Sequence, residues 1–404
     1  MPRVLVVDRQ LSRTQQVVGA DDTWRPLGDG GLLHAEVTSD RLEQFRAGGA
    51  LGVDVDRTMS TAVVGAPTVE GAPMDMRGED HPLPSLRELE PRLGGSVDDA
   101  RDTGEGVLVG VVDTGMRAHP WLDGAYLASP NDFESSGTQA RRQVVAASRR
   151  GDAGPDEAAA ARSRRETGHG TFVTGLVLQQ APAASVWLER ALDSGGNGLT
   201  SAVVEAATTL ARRGVHVLNL SLGCFSDDAA SKTVMRRLAE DLYRIRPDMV
   251  IVAAAGNIDG NDDPTTPQPF WPAAVEQVLA VGSVDDASST TWSTWSNRGP
   301  WVDLAAPGHR LLSTYVTGPV ALEADQPAVD YSGWARWSGT SFSTAVVSGA
   351  IARLMSARGI TAHEAALALK AGELSTGRTE AEGEVPSVPV VAARSWDEHL
   401  IATG

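Results

Sequence analysis

From residue 106 onward, short apolar, β-branched runs alternate with stretches whose apolar residues recur every three or four positions. The runs 107–112, 185–188, 215–220, 250–255, 278–281 and 302–305 have the length and composition of strands buried on both faces. Between them the spacing predicts helices from Thr171, over 202–213, over 230–246 and over 343–357. In the third of these, Val234, Leu238, Leu242 and Ile245 share one face. Strand–helix alternation of this kind predicts a three-layer α/β fold with a mostly parallel central sheet, whose chemistry sits at the carboxyl ends of the strands.

The first 95 residues read differently, as a small α/β module. Strands are expected at 4–7, 32–37 and 51–55 and a short helix at 39–45, capped by Ser39. Residues 65–95, rich in Pro, Gly and charge, read as a linker. The expected domains are therefore 1–95, 96–375 and a weakly periodic tail at 376–404. The polar, Arg- and Ala-rich segment 129–166 reads as an insertion, either a lid or docking element or an ordinary loop.

Composition narrows the function classes. A net charge of −17 disfavours nucleic acid and anionic membrane as partners. No run reaches the ~20 apolar residues of a membrane helix. The start shows no basic segment followed by a long apolar one, and Cys224 is the single cysteine, so a cytoplasmic location is expected.

Four motifs carry the candidate chemistry. Val111-Val112-Asp113-Thr114-Gly115 ends a strand, Gly168-His169-Gly170-Thr171 opens a helix, Ala254-Ala255-Gly256-Asn257 ends another strand, and Gly339-Thr340-Ser341 opens the last long helix. Each alone is ordinary turn or cap chemistry. Together they supply what a serine nucleophile needs: a base to take its proton, an acid to hold the base, and preorganised donors for the oxyanion. These motifs, in the order Asp, His, Ser, resemble the subtilisin-like (S8, subtilase) family of serine peptidases over residues 106–358.

The resemblance implies a serine endopeptidase working through an acyl-enzyme, with Asp113 orienting His169, His169 as general base and acid, Ser341 as nucleophile and Asn257 as oxyanion donor. It places Ser221, Leu222 and Gly223 on one wall of the cleft and Ala254, Ala255 and Gly256 on the other, binding a peptide or protein as an added strand. Phe270 stands where the family usually has a smaller residue at the floor of the primary pocket, which favours small substrate side chains. After Ser341 the run Phe342-Ser343-Thr344-Ala345 lacks the family's proline, so Ser341 is expected to be held less tightly, slowing hydrolysis or favouring acyl transfer.

No cofactor is expected. The passage Gln179-Gln180-Ala181-Pro182 leaves no room for the calcium loop of many members. Limited intracellular processing, for example leader-peptide removal, is the functional expectation; a catalytically weak or inactive binding scaffold is the alternative. An esterase is rejected because Ser341 lacks a Gly-x-Ser-x-Gly elbow. Residues 51–56 resemble the end of a subtilase prodomain, and a separate recognition or oligomerisation module is the competing reading. Cys224 is either a small packed residue or a thiol whose alkylation crowds the cleft.

Overall fold

A computed structural model describes residues 3–7, 23–27, 32–37, 52–70, 104–117, 119, 122, 144–147, 163–258, 266, 268–323 and 326–394. In chain order the strands are β1 (Arg3–Val7), β2 (Thr23–Leu27), β3 (Leu32–Glu36), β4 (Gly52–Val55), β5 (Thr58–Thr61), β6 (Val64–Glu70), β7 (Leu108–Asp113), β8 (Val144–Ala147), β9 (Ser163–Arg164), β10 (Ser185–Arg190) and β11 (Asn197–Leu199). They continue as β12 (Val217–Leu220), β13 (Leu222–Phe225), β14 (Val250–Ala254), β15 (Phe270–Trp271), β16 (Leu279–Val284), β17 (Leu304–Pro307), β18 (Leu311–Ala321), β19 (Val329–Ser338), β20 (Ser375–Arg378) and β21 (Pro389–Val391). The helices are α1 (His169–Gln180), α2 (Thr200–Arg212), α3 (Ala229–Ile245), α4 (Thr340–Arg358) and α5 (Ala362–Lys370).

The central sheet runs β20-β21-β17-β16-β14-β12-β7-β10-β8, parallel except at the β20 edge. Strands β7, β10, β12, β14, β16, β17 and β21 are buried on both faces because helices cover both. Phe172 and Leu176 of α1, Val346 and Ile351 of α4 and Leu369 of α5 pack on one side. Val203 and Leu210 of α2 with Val234 and Leu238 of α3 pack on the other. The three-layer α/β expectation is met. Helix α4 is buried at every position from Thr340 to Met355, and its Ser, Thr, Ala and Gly side chains let it thread the core.

Three segments differ from the sequence reading. Residues 375–391 are not a tail: β21 adds to the central sheet beside β17 and β20 folds back on it. Residues 65–70 are not linker, since β6 pairs antiparallel with β19 of the β18–β19 hairpin. Of the insertion 129–166, β8 pairs with β10 at the edge of the central sheet, and residues 165–168 form a 3₁₀ turn leading directly into α1. The helix expected at 39–45 lies outside the described residues.

The N-terminal strands form their own antiparallel sheet, β2-β3-β1-β4. Alternation along β1 divides its side chains: Val4 and Val6 face one cluster, whereas Leu5 and Val7 enter the core shared with α2 and α3. Polar contacts fix the docking. Asp54 accepts from Ser231 Oγ at the start of α3 (2.7 Å), and Asp56 accepts from the Ser201 N–H (2.9 Å) and Oγ (2.7 Å) at the start of α2. Two carboxylates thus sit at the positive ends of two helices. Arg25–Glu205 and Arg57–Asp228 ion pairs join the same surfaces.

Candidate active site

Asp113 ends β7 and His169 opens α1, so the fold brings together side chains 56 residues apart in sequence. His169 Nδ1 lies 2.8 and 2.9 Å from the two Asp113 carboxylate oxygens, and both residues are fully buried. The Trp337 ring meets the imidazole edge-on at 5.7 Å and Phe342 packs against it at 5.5 Å. Burial disfavours the imidazolium, but Asp113 beside it and Glu166 farther off outweigh burial and hold His169 above the ordinary histidine value of 6.5. Glu166 itself is pushed up by burial, against the opposing effects of His169, Arg165 and the Thr61 hydroxyl.

Ser341 lies in the first turn of α4, at the positive end of the helix dipole. Its Oγ donates to the Ser221 carbonyl at 2.8 Å, while Ser221 Oγ donates back to the Ser341 carbonyl at 2.7 Å. Asn219 Nδ2 donates to Ser221 Oγ at 2.8 Å, and Asn219 Oδ1 accepts from Ser348 Oγ at 3.0 Å, which ties the end of β12 to α4. Sequence reasoning missed this positioning role for Asn219, because an asparagine inside an apolar strand shows its partner only once the strand is beside the helix. Ala345 is fully buried in the uninterrupted helix.

Asn257 follows β14 and points its amide at the same place. Its Oδ1 accepts from the Thr340 N–H (3.1 Å) and Oγ1 (3.0 Å), which leaves Nδ2 buried and without a partner among the described residues. A buried, unpaired donor held in this way is preorganised for an incoming oxygen. His169 Nε2 is likewise buried without a partner among the described residues, since Ser341 Oγ is turned toward Ser221.

The cleft is occupied by the chain's own residues 58–63. β5 lies between β11 and β13, pairing Ser60 with Gly223, Thr61 with Leu222 and Thr58 with Leu199. Beyond it the Ala62 carbonyl accepts from the Ser341 N–H at 3.1 Å, and the Ala62 N–H donates to Ser341 Oγ at 3.0 Å. Gly339 permits this approach, because a Cβ there would stand 2.4 Å from the Ala62 oxygen and 2.7 Å from Val63 Cα. Nothing in residues 1–95, read as sequence, marked Ala62 as a partner of Ser341.

The expected wall residues fall as follows. Leu222 and Gly223 pair with the bound segment, and Ala254 shares a small apolar cluster with Ala62 and Phe270. The Phe270 ring fills the space between Gly223 and Gly256, where added Cβ atoms would stand 2.3 and 2.7 Å from it. Ala255 does not line the pocket; strand alternation turns it to the opposite cluster with Val284 and Trp292. Cys224 is half-buried beside Trp271, and burial pushes its thiol up to about 11, which suits a packed residue.

Among the described residues no group of three or more His, Cys, Asp or Glu is arranged to hold a metal. The α1–β10 connection, Ala181 to Ala184, contains no carboxylate. Chelator treatment is expected to leave the melting temperature unchanged. A fall of about 5 °C or more, the order that a saturated stabilising ion confers, would contradict this. Among the described residues no helix is long and apolar enough to cross a membrane.

Residues 104–382 match the profile of the subtilase family. The chain is 33% identical over 261 residues to a thermophilic serine proteinase of Bacillus sp. (strain AK1), covering 62% of this chain and 52% of that one. It is 30% identical over 302 residues to thermitase of Thermoactinomyces vulgaris, covering 71% of this chain and 89% of thermitase. The major intracellular serine protease of Bacillus subtilis (strain 168) is 28% identical over 264 residues, covering 63% of this chain and 69% of that protein. The crystal structure of fervidolysin from Fervidobacterium pennivorans, a keratinolytic enzyme related to subtilisin, shares the fold. It superposes with a TM-score of 0.59 at 20% identity, covering 88% of this chain and 54% of fervidolysin.

Proposed function

The chain belongs to the subtilase family of serine-type endopeptidases, and we propose that its first substrate is its own Ala62–Val63 bond. The observation that carries this reading is the Ala62 carbonyl on the Ser341 N–H, within a segment already paired as an added strand between β11 and β13. In this reading residues 1–62 are a prodomain that occupies the cleft until it is cut. The carboxylates of Asp54 and Asp56 on α3 and α2 support that role over a free-standing recognition module, because they aim the connecting strand into the site.

The reaction follows from the groups present. Ser341 Oγ rotates from the Ser221 carbonyl to His169 Nε2, which takes its proton as Oγ attacks the Ala62 carbonyl carbon. Asn257 Nδ2 and the Ser341 N–H hold the oxyanion. Asp113 keeps the imidazole in the productive tautomer and stabilises its charge. His169 then protonates the Val63 nitrogen as the Ala62–Val63 bond breaks, and water attacks the acyl-Ser341 ester by the reverse proton route. After release the same cleft accepts other peptides, with Phe270 restricting the residue before the cut to small side chains.

Limited processing of a peptide or protein inside the cell, of the leader-removal kind, fits such a narrowed pocket better than general protein turnover. The relatives named above are described as proteases or enzymes, which supports turnover over a silent scaffold. Intact mass of the purified chain over time, with sequencing of the new N-terminus, tests the proposal. A chain beginning at Val63 is expected; a cut elsewhere, or none, counts against it.

Self-cleavage is expected to rise with pH through a midpoint above 6.5, the ordinary histidine value. Only neutral His169 accepts the Ser341 proton. Because Asp113 and Glu166 hold the imidazole protonated to higher pH, the active form is gained later on raising the pH. The first-order rate measured at a series of pH values checks this, and a midpoint at or below 6.5 contradicts it.

A further inference from the structure

Residue 166 ends what reads in sequence as an insertion, yet Glu166 is almost wholly buried at 3% exposure. It lies in the 3₁₀ turn before His169, a turn anchored by Tyr315, whose hydroxyl donates to the Arg165 carbonyl at 2.5 Å. One carboxylate oxygen, Oε1, accepts from Arg165 Nε at 2.9 Å. The other, Oε2, accepts from Thr61 Oγ1 at 3.0 Å.

Thr61 is the residue immediately before Ala62, and its backbone is fixed from both sides. It pairs with Leu222 in β13, and its N–H donates to the Gly196 carbonyl at 3.1 Å. Gly196 also leaves the space in which carboxylate and hydroxyl meet. A Cβ there would stand 2.8 Å from both Glu166 Cγ and Thr61 Oγ1. The result is a small subsite with a carboxyl oxygen as acceptor at its end, separate from the apolar pocket around Ala62 and from the buried site of Met59 in the α2 core.

We infer that Glu166 is a specificity-determining residue that selects a hydroxyl-bearing side chain, threonine or serine, one position before the residue at the cleaved carbonyl. The inference rests on the reading of residues 58–63 as substrate. An isosteric valine fills the same volume but leaves Glu166 Oε2 buried with one donor fewer, and the loss of that hydrogen bond penalises it. Serine supplies the donor with a methyl group less.

The test uses the full-length chain and reads the rate of scission after Ala62 by intact mass. With Glu166 in place, T61V is expected to be cut about tenfold more slowly than wild type, and T61S within about threefold of it. In the E166Q background the T61V penalty is expected to shrink to about threefold or less, because the two side chains act on each other. A purely structural role for Glu166 would instead slow all the Thr61 variants equally. Equal rates for wild type and T61V overturn the inference alone, and this comparison needs no Glu166 variant. A T61K chain cut faster than wild type overturns it in favour of a cationic side chain. Absence of scission in wild type overturns the self-processing reading and this inference with it.

Discussion

Replacing Ser341 by alanine is expected to hold the chain at full length, whereas the wild type shortens to a protein beginning at Val63. Loss of the nucleophile in a site of this kind lowers turnover by about 10⁶-fold, so an hour's reaction becomes one beyond practical observation. The fold itself is expected to survive. Ser341 Oγ contacts the Ser221 carbonyl and the Ala62 N–H, while the Ser341 backbone bonds to Ala62 and to Ser221 Oγ do not need it. Fluorophosphonate labelling gives a second readout. The uncut chain holds its nucleophile under its own strand and is expected to label slowly, the cut chain rapidly and the alanine variant not at all. Scission at the same bond in Ser341→Ala would assign the cleavage to another agent.

Enlarging Ala62 to phenylalanine is expected to slow self-cleavage by about 100-fold. The Ala62 side chain is buried against Ala254 and Phe270, and the Phe270 ring already fills the gap between Gly223 and Gly256. A second ring has no volume to enter, and forcing one into a packed site costs about 1–3 kcal/mol, the upper part of which corresponds to a factor near 100. Pairing Ala62→Phe with Phe270→Ala is expected to recover most of the rate, because the deleted ring vacates the space the new one needs. Rates for Ala62→Phe and wild type within about threefold of each other would mean that Phe270 does not set the size limit.

The candidate triad was legible because its local setting is written into short stretches of chain. Asp113 ends an apolar strand, while His169 and Ser341 each open a helix, and small residues flank all three. The capping box of α5, Thr361 with Glu364, went unread, although its Glu stands three residues after its Thr. The β18–β19 hairpin was harder to see, since its polar and apolar residues follow the mixed demands of β6, β9 and the His169 pocket rather than a simple alternation.

By itself the sequence determined the α/β class, the alternation of the main strands and helices along residues 106–358, and the candidate residues for the chemistry. Each of these depends on periodicity or on neighbours within a few positions. What it left undecided were pairings between segments far apart along the chain. Thr61 meets Glu166, Ala62 meets Ser341 and Asn219 meets Ser348 only after folding, and no local pattern distinguishes those partners from other threonines, alanines and serines. The tertiary structure decided that an N-terminal strand lies across Ser341. The physical reason is that an edge of unpaired backbone groups beside β13 is satisfied by any extended segment held in place, and the docking of Asp54 and Asp56 on two helix ends holds this one there.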